Sequence, residues 1–137
     1  MKNAACLDTG IVTQFYSKNP PKKIVNVINR IKKKELKASL LYPILVEIYF
    51  HICKLLGKDA AETRVASFLN NYSVKVINLN YSLIFKAGGL KCRYAHILSY
   101  NDCLLIAYAL NKKITLYTTE KDLKKTVPSL KVKEYTF

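Results

Sequence analysis

This chain has few acidic residues: 9 Asp and Glu stand against 23 Lys and Arg in 137 residues, which gives a formal net charge of +14. A charge of that size attracts polyanions at long range, so nucleic acid is the first partner to consider. An anionic membrane surface or an acidic protein would also fit. The plainer alternative is that the lysines only solvate the surface.

The sequence also lacks paired cysteine motifs and long uninterrupted apolar runs. None of the four cysteines has C-x-x-C spacing, so a zinc site or a disulfide framework is not expected. The most apolar stretch, residues 40–56, contains a proline and charged residues, whereas a bilayer span needs about 20 apolar residues. No secretory signal is predicted at the start of the chain. We therefore expect one soluble, cytoplasmic domain over residues 1–137, with reduced thiols and no membrane partner.

Short apolar strands alternate with helical patterns along the whole chain. Strands are predicted at residues 3–7, 36–42, 74–79, 113–118 and 130–135. Helices are predicted at residues 11–16, 20–34, 43–57, 58–70, 81–91, 99–111 and 121–126. This order predicts an α/β fold with a mostly parallel sheet of four to five strands, covered by helices on both faces. The Gly88-Gly89 pair is expected to weaken its helix and to permit close packing.

Several of the scarce acids follow predicted strands. Asp8 comes directly after the first strand, and Glu120 and Asp122 come after the fourth. Because ligands of parallel sheets bind beyond the carboxyl ends of the strands, these acids are expected to meet at one edge. Each also has a simpler explanation, since Asp8 suits a helix N-cap and the other two suit a turn. Ser99 and Asp102 likewise have the spacing of a capping box.

Glu47 is the acid that is hardest to explain by local structure. It interrupts the apolar run of residues 44–50, and burying an unpaired carboxylate costs several kcal/mol. It therefore needs a cation, a partner or a cleft, unless it lies on the solvated stripe of its helix. Together with Asp8, Asp102 and Glu120 it would supply the hard oxygen ligands that divalent metals use to hydrolyse phosphodiesters.

Four motifs of this chain resemble those of PIN-domain proteins, specifically the VapC-like toxin ribonucleases of archaea and bacteria. They are LDTG at 7–10, PILVEIY at 43–49, LSYNDCLLIA at 98–107 and LYTTEKDL at 116–123. They follow the family's order and approximate spacing over essentially the whole chain. The resemblance implies a three-layer α/β/α fold with an acidic pocket at the strand ends.

The resemblance also assigns roles to individual residues. It places the family's acidic, metal-binding and catalytic positions at Asp8, Glu47, Asp102 and Glu120, although the family often has Asp at the last of these. Asp122 is an alternative or outer ligand, and the Thr118 hydroxyl steadies the pocket. Three basic residues are expected either to hold substrate phosphates or to be solvated helix ends: Lys86, Lys91 and Arg93. The two histidines, His51 and His96, are expected to be structural or exposed.

The activity that the resemblance implies is hydrolysis of RNA by an Mg²⁺- or Mn²⁺-dependent endoribonuclease, leaving a 5′-phosphate and a 3′-hydroxyl. The enzyme would be the toxin of a type II toxin–antitoxin pair, inhibited by a cognate antitoxin, and a homodimer. Two alternatives stay open. The chain would otherwise be a PIN-fold nuclease of RNA processing or DNA repair, or a catalytically silent PIN module that binds RNA or protein.

Overall fold

The strands of this chain form one fully parallel sheet. The computed structural model describes residues 3–137, so the first two residues, included in the predicted domain, lie outside the described part. The five strands are β1 (Ala4–Leu7), β2 (Lys37–Leu41), β3 (Val74–Ile77), β4 (Thr115–Thr118) and β5 (Val132–Glu134). Their order is β3-β2-β1-β4-β5, and every neighbouring pair is parallel. The predicted parallel sheet is confirmed.

Seven helices flank the sheet. They are α1 (Thr9–Phe15), α2 (Lys22–Lys32), α3 (Tyr42–Leu56), α4 (Lys58–Asn71), α5 (Tyr81–Arg93), α6 (Tyr100–Lys112) and α7 (Leu123–Thr126). Helix α1 packs on α2 and α3, α3 packs on α4, and α5 packs on α6. Parallel strands are joined by right-handed crossovers, and the chain reverses direction across the sheet after β3. The helices before and after β3 therefore cover opposite faces, which gives the expected three layers.

The core lies between these layers. In β1, Ala5, Cys6 and Leu7 are fully buried, as is typical of a strand covered on both faces. The predicted apolar face of α2 is confirmed: Ile24, Val27, Ile28 and Ile31 are all buried. All four cysteines are free. None of the helices described within residues 3–137 combines the length and apolarity that crossing a membrane requires.

Element ends differ from the sequence prediction where a side chain caps a helix. Strand β3 stops at Ile77, and the Asn80 side chain then accepts a hydrogen bond from the Leu83 amide (2.8 Å) to start α5. The expectation that Gly88-Gly89 permits close packing is wrong. Both glycines are exposed, and a Cβ at either position would meet no atom within 4 Å.

Candidate active site

Asp8 is fixed at the carboxyl end of β1 by its neighbours on both sides. One oxygen accepts a hydrogen bond from the Thr9 amide (2.7 Å), so Asp8 is the N-cap of α1 as its position suggested. The other oxygen accepts from the Thr118 hydroxyl (2.7 Å) at the end of the adjacent β4. Asp8 is 5% exposed and Thr118 is fully buried. This pair joins two neighbouring strand ends at the edge where the site was expected.

Asp102 also has its predicted capping role. Its amide donates to the Ser99 hydroxyl (3.1 Å), and its Oδ2 accepts from the Ser99 amide (3.1 Å), which completes the capping box at the start of α6. Asp102 is 7% exposed. The capping box occupies only one of its two carboxylate oxygens. A cap and a ligand are therefore compatible roles for this residue.

Glu120 brings a third carboxylate to the same place. Its amide donates to the Thr118 hydroxyl oxygen (2.9 Å), which holds the turn after β4 against Asp8. One ligand oxygen each from Asp8, Asp102 and Glu120 lie within 4.8 Å of one another, and we call these three residues the acidic cluster. They come from three separate parts of the sequence and meet at the carboxyl edge of the sheet.

Glu47 lies at the border of the acidic cluster and is half-buried. The Thr9 hydroxyl donates a hydrogen bond to its Oε1, and the Asn101 side chain donates to its Oε2 (3.3 Å). Glu47 lines a cavity of about 330 Å³ together with Asp8 and Glu120. It therefore points into a cleft and does not lie on the solvated stripe of its helix.

The acids repel one another, and this repulsion contributes to raised pKa values in the acidic cluster. Glu120 is exposed as a whole residue, but partial burial of its carboxyl group, followed by repulsion from Asp102 and Asp8, raises its pKa to about 8. Burial also raises the pKa of Asp8, although hydrogen bonds from Thr118 and Thr9 oppose that change. Within residues 3–137 the one ion pair closer than 4.0 Å is Lys58–Glu62, on the surface. No lysine or arginine of the described chain therefore neutralises the acidic cluster directly.

The geometry and donor chemistry of the acidic cluster fit a small divalent cation. All of its ligands are carboxylate oxygens, which Mg²⁺ and Mn²⁺ prefer to nitrogen or sulfur. A cation between them would offset the repulsion that, after burial, raises the pKa of Glu120, and would favour the ionised form of that residue.

Gly10 has a steric reason to be glycine. A Cβ at this position would lie 2.0 Å from the Thr119 hydroxyl oxygen and 3.0 Å from its Cβ. A larger residue would push Thr119 away, and with it the turn that carries Glu120. The glycine of the LDTG motif thus acts on the acidic cluster from α1.

Some residues expected near the site lie elsewhere. Asp122 is outside the acidic cluster: it is exposed and starts α7 with a left-handed backbone (φ 68°). Lys91 donates to the carbonyls of Ala95 (3.0 Å) and Leu98 (2.8 Å), so its ammonium is held by the connection between α5 and α6. Neither Lys86 nor Arg93 lines the cavity of Glu47; both line a different surface, on α5.

Other residues in the cavity were not assigned a role from sequence. Its lining includes Thr9, Thr119 and the exposed His51, and Asn101 holds Glu47 from the start of α6. Thr9 and Asn101 stand inside the recognised motifs, each beside an acid, and that adjacency was the available signal. His51 follows Glu47 by one helical turn, which places both on one face of α3.

The PIN domain family model matches residues 5–127, and the chain belongs to this family. Comparison with curated proteins gives no significant sequence match. Solved structures share the fold at low sequence identity. VapBC2 from Rickettsia felis, bound to a DNA fragment from its promoter, has a TM-score of 0.78 at 21% identity, covering 96% of this chain and 98% of that one.

Two further structures show the same likeness. FitAcB from Neisseria gonorrhoeae has a TM-score of 0.74 at 15% identity and covers 93% of this chain and 95% of its own. A Mycobacterium tuberculosis VapC toxin described as cleaving the sarcin-ricin loop has a TM-score of 0.72 at 16% identity, with coverage of 90% and 95%. At these identities the likeness establishes the fold, and the chemistry rests on the residues of the site.

Proposed function

We propose that this protein is a metal-dependent endoribonuclease that hydrolyses RNA phosphodiester bonds. The observation that carries the proposal is the acidic cluster: three carboxylates with oxygens within 4.8 Å of one another, none in an ion pair closer than 4.0 Å among the described residues, in a chain of net charge +14. Carboxylates in this arrangement hold Mg²⁺ or Mn²⁺, which when bound activates water and offsets charge on the phosphate. The net positive charge of the chain attracts the RNA backbone.

The chain's own residues have separable tasks in this proposal. Asp8, Asp102 and Glu120 hold the cation, while Thr118 fixes both Asp8 and the Glu120 turn by hydrogen bonds of 2.7 and 2.9 Å. Glu47 extends the negative charge along the cavity wall, where it orients water or a further cation. Asp122 lies outside this arrangement.

We further propose that the protein is the toxin of a toxin–antitoxin pair. The similar folds include toxin–antitoxin complexes from Klebsiella pneumoniae and Salmonella typhimurium. In this chain the exposed Leu55 lines the acidic cavity, so an apolar side chain of an inhibitor would find a contact beside the acids. A bound antitoxin segment would therefore block substrate access.

A homodimer is also proposed, because apolar side chains remain exposed on two helices. Val46 and Phe50 lie one turn apart on α3, and Ile84 and Phe85 lie together on α5; Phe85 is 77% exposed. Patches of this kind mark interaction surfaces in soluble proteins. A monomeric mass in sedimentation equilibrium at micromolar concentration would remove this part of the proposal.

Asp102→Asn is the variant that tests the nuclease proposal. The amide oxygen of Asn can keep the hydrogen bond from the Ser99 amide, so the helix cap survives while the charge is lost. Asp8 is a poorer choice, because both of its oxygens accept hydrogen bonds. We expect Asp102→Asn to reduce Mn²⁺-dependent RNA cleavage by at least about a hundredfold.

The matched control is Asp59→Asn, which removes one exposed carboxylate from the first turn of α4. Cleavage of total RNA and of single- and double-stranded DNA would be followed with Mn²⁺ and with EDTA. Equal RNA cleavage by Asp102→Asn and Asp59→Asn would show that the acidic cluster is not the active site. Faster cleavage of DNA would reject the RNA assignment, and no cleavage by the unmodified protein would favour a silent binding module.

A further inference from the structure

A basic feature lies at the amino ends of the strands, on the opposite edge of the sheet from the acidic cluster. A cavity of about 550 Å³ is lined by Ala4, Lys37 and Ile114, which are at or next to the first residues of β1, β2 and β4. Asp8 and Glu120 of the acidic cluster instead follow the last residues of β1 and β4. A four-residue strand rises roughly 13 Å, so the two sites are separated by about the length of one strand.

This cavity is the first of three that share lining residues. Lys75, Tyr108 and Lys112 also line a second cavity of about 260 Å³, which shares Lys86 and Asn111 with a third of about 620 Å³ between α5 and α6. We call the three cavities together the lysine groove. It runs from the amino ends of the strands along the seam of these two helices.

The lysine groove carries charge of one sign. Among the residues that the structure describes, no Asp or Glu lines it and seven basic residues do: Lys34, Lys37, Lys75, Lys86, Arg93, Lys112 and Lys113. Within residues 3–137, none of the seven is in an ion pair closer than 4.0 Å. Lys86 donates to the Asn111 side chain (2.6 Å), which ties α5 to α6 inside the groove. Concentrating cations without counter-charges is unfavourable unless an anion offsets their repulsion.

Packing does not explain the glycine pair, and the groove bears on one of the two, Gly89. Gly89 lines the third cavity, and a Cβ there would point into open space. Glycine in a helix interior is less favourable than other residues, so its presence at an exposed position suggests that a close approach to the backbone is needed. Gly88 is equally exposed but lies outside the groove.

We propose that the lysine groove binds the phosphate backbone of RNA at a distance from the acidic cluster. Its one aromatic residue, Tyr108, is buried, so the groove offers no platform on which bases could stack. Serine and asparagine side chains accompany the lysines, and these contact phosphates and 2′-hydroxyls. The groove therefore favours folded or duplex RNA and reads its backbone without sequence preference.

This inference deepens the proposed function, because it assigns a second contact to the same substrate. It is tested by binding without cleavage, so that its failure and the failure of the nuclease proposal are distinguishable. A fluorescein-labelled RNA hairpin is titrated in EDTA against protein carrying Asp102→Asn, and fluorescence anisotropy is read at several salt concentrations.

Two variants of that protein test the groove by charge. The groove variant changes Lys37, Lys75 and Lys112 to Gln, and the control changes Lys22, Lys32 and Lys125 to Gln, which are exposed and lie outside the groove. Both lose three positive charges. We expect the groove variant to bind the hairpin roughly tenfold more weakly than the control variant does. The slope of log K against the logarithm of the salt concentration should be smaller in magnitude by about two to three. Equal affinities and slopes for the two variants would overturn the proposal.

A second pair of variants tests the groove by shape at constant charge. Gly89→Gln places a neutral side chain in the groove, and Gly88→Gln places the same side chain on the neighbouring exposed position. We expect weaker RNA binding only for Gly89→Gln, with melting temperatures that show both variants folded. If Gly89→Gln binds like Gly88→Gln, or if polyglutamate of equal charge competes as well as RNA, the RNA assignment is wrong.

Discussion

At the residue scale, the carboxylates of this protein combine two roles that look like alternatives in the sequence. Asp8 caps α1 and Asp102 completes a capping box, yet both also contribute an oxygen to the acidic cluster. A carboxylate has two oxygens and about four lone-pair directions, so a cap leaves capacity for a cation. The capping roles of Asp8 and Asp102 are therefore compatible with the proposed role of these acids in binding a cation.

The stability of the metal-free protein is expected to fall as the pH rises from about 4.5 to about 8. The pKa of Glu120 is about 8 in the folded chain against an ordinary 4.5, so the folded state holds more protons in that window. Folding is then favoured at the acidic end and loses this contribution as the pH approaches 8. The measurement is the melting temperature in EDTA between pH 5 and pH 8.

Glu120→Gln removes the titrating group and should flatten this pH dependence. Glu35→Gln, at an exposed position away from the acidic cluster, is the control and should leave it unchanged. An identical slope for the two variants would mean that Glu120 does not carry the raised pKa. The variants are compared with the parent, because many other groups of this basic chain also titrate.

Which residues reach the acidic cluster was only partly predictable. The convergence of Asp8 and Glu120 follows from the rule for parallel sheets, and the capping box follows from spacing alone. The choice between Glu120 and Asp122 depends on a turn in which the Thr118 hydroxyl holds the Glu120 amide. The contacts of Glu47 with Thr9 and Asn101 join positions 38 and 54 residues away, which no local pattern encodes.

At the scale of elements, helices were predictable in position and less so in their ends. The periodicity of α2 identified its buried face, because one face of that helix meets the core. Strand order was not predictable, since β1 pairs with β2 and β4 through contacts distant in sequence. The exposed glycines of α5 were misread because a sequence does not show which side of a helix remains open.

Helix α6 ends with a lysine in a conformation that favours glycine. Lys113 has a left-handed backbone (φ 56°, ψ 41°) at the C-terminus of α6. That conformation costs a residue with a Cβ about 1–2 kcal/mol. Lys34, another residue of the lysine groove, also has a positive φ (62°). Two of the positive charges of the lysine groove are thus carried by residues with an unfavourable backbone conformation.

We expect Lys113→Gly to be more stable than Lys113→Ala by about 1 kcal/mol in urea denaturation. Both variants lose the same charge, so the difference isolates the backbone. Equal stabilities would show that the left-handed conformation costs nothing at this site. The same pair should bind RNA equally, because neither retains the lysine.

At the scale of the whole molecule, charge is divided between the two edges of one sheet. The acidic cluster occupies the carboxyl edge, and the lysine groove begins at the amino edge. A folded RNA that contacts both edges must reach around the domain. The proposed nuclease would then favour substrates by size and shape as well as by the sequence at the cleaved bond.

Divalent cations should stabilise the whole domain. Mn²⁺ at a hundredfold excess over its dissociation constant should add about 2.7 kcal/mol to the free energy of unfolding. The measurement is the melting temperature with Mn²⁺ and with EDTA. The double variant Asp102→Asn with Glu120→Gln should show no shift, and it should exceed the metal-free parent in stability because repulsion is relieved. A parent that melts at the same temperature in both solutions would exclude a cation site of useful affinity.

The hydrogen bond from the Thr118 hydroxyl to Asp8 joins residues that are 110 positions apart in the sequence. A ribosome delivers the first of these long before the second, and β1 has no β4 partner until residues 115–118 have been synthesised. The acidic cluster therefore does not exist on a nascent chain shorter than 120 residues, however early the first helices form. The proposed nuclease is therefore inactive on any nascent chain that lacks Glu120, because one of the three cluster carboxylates is then missing.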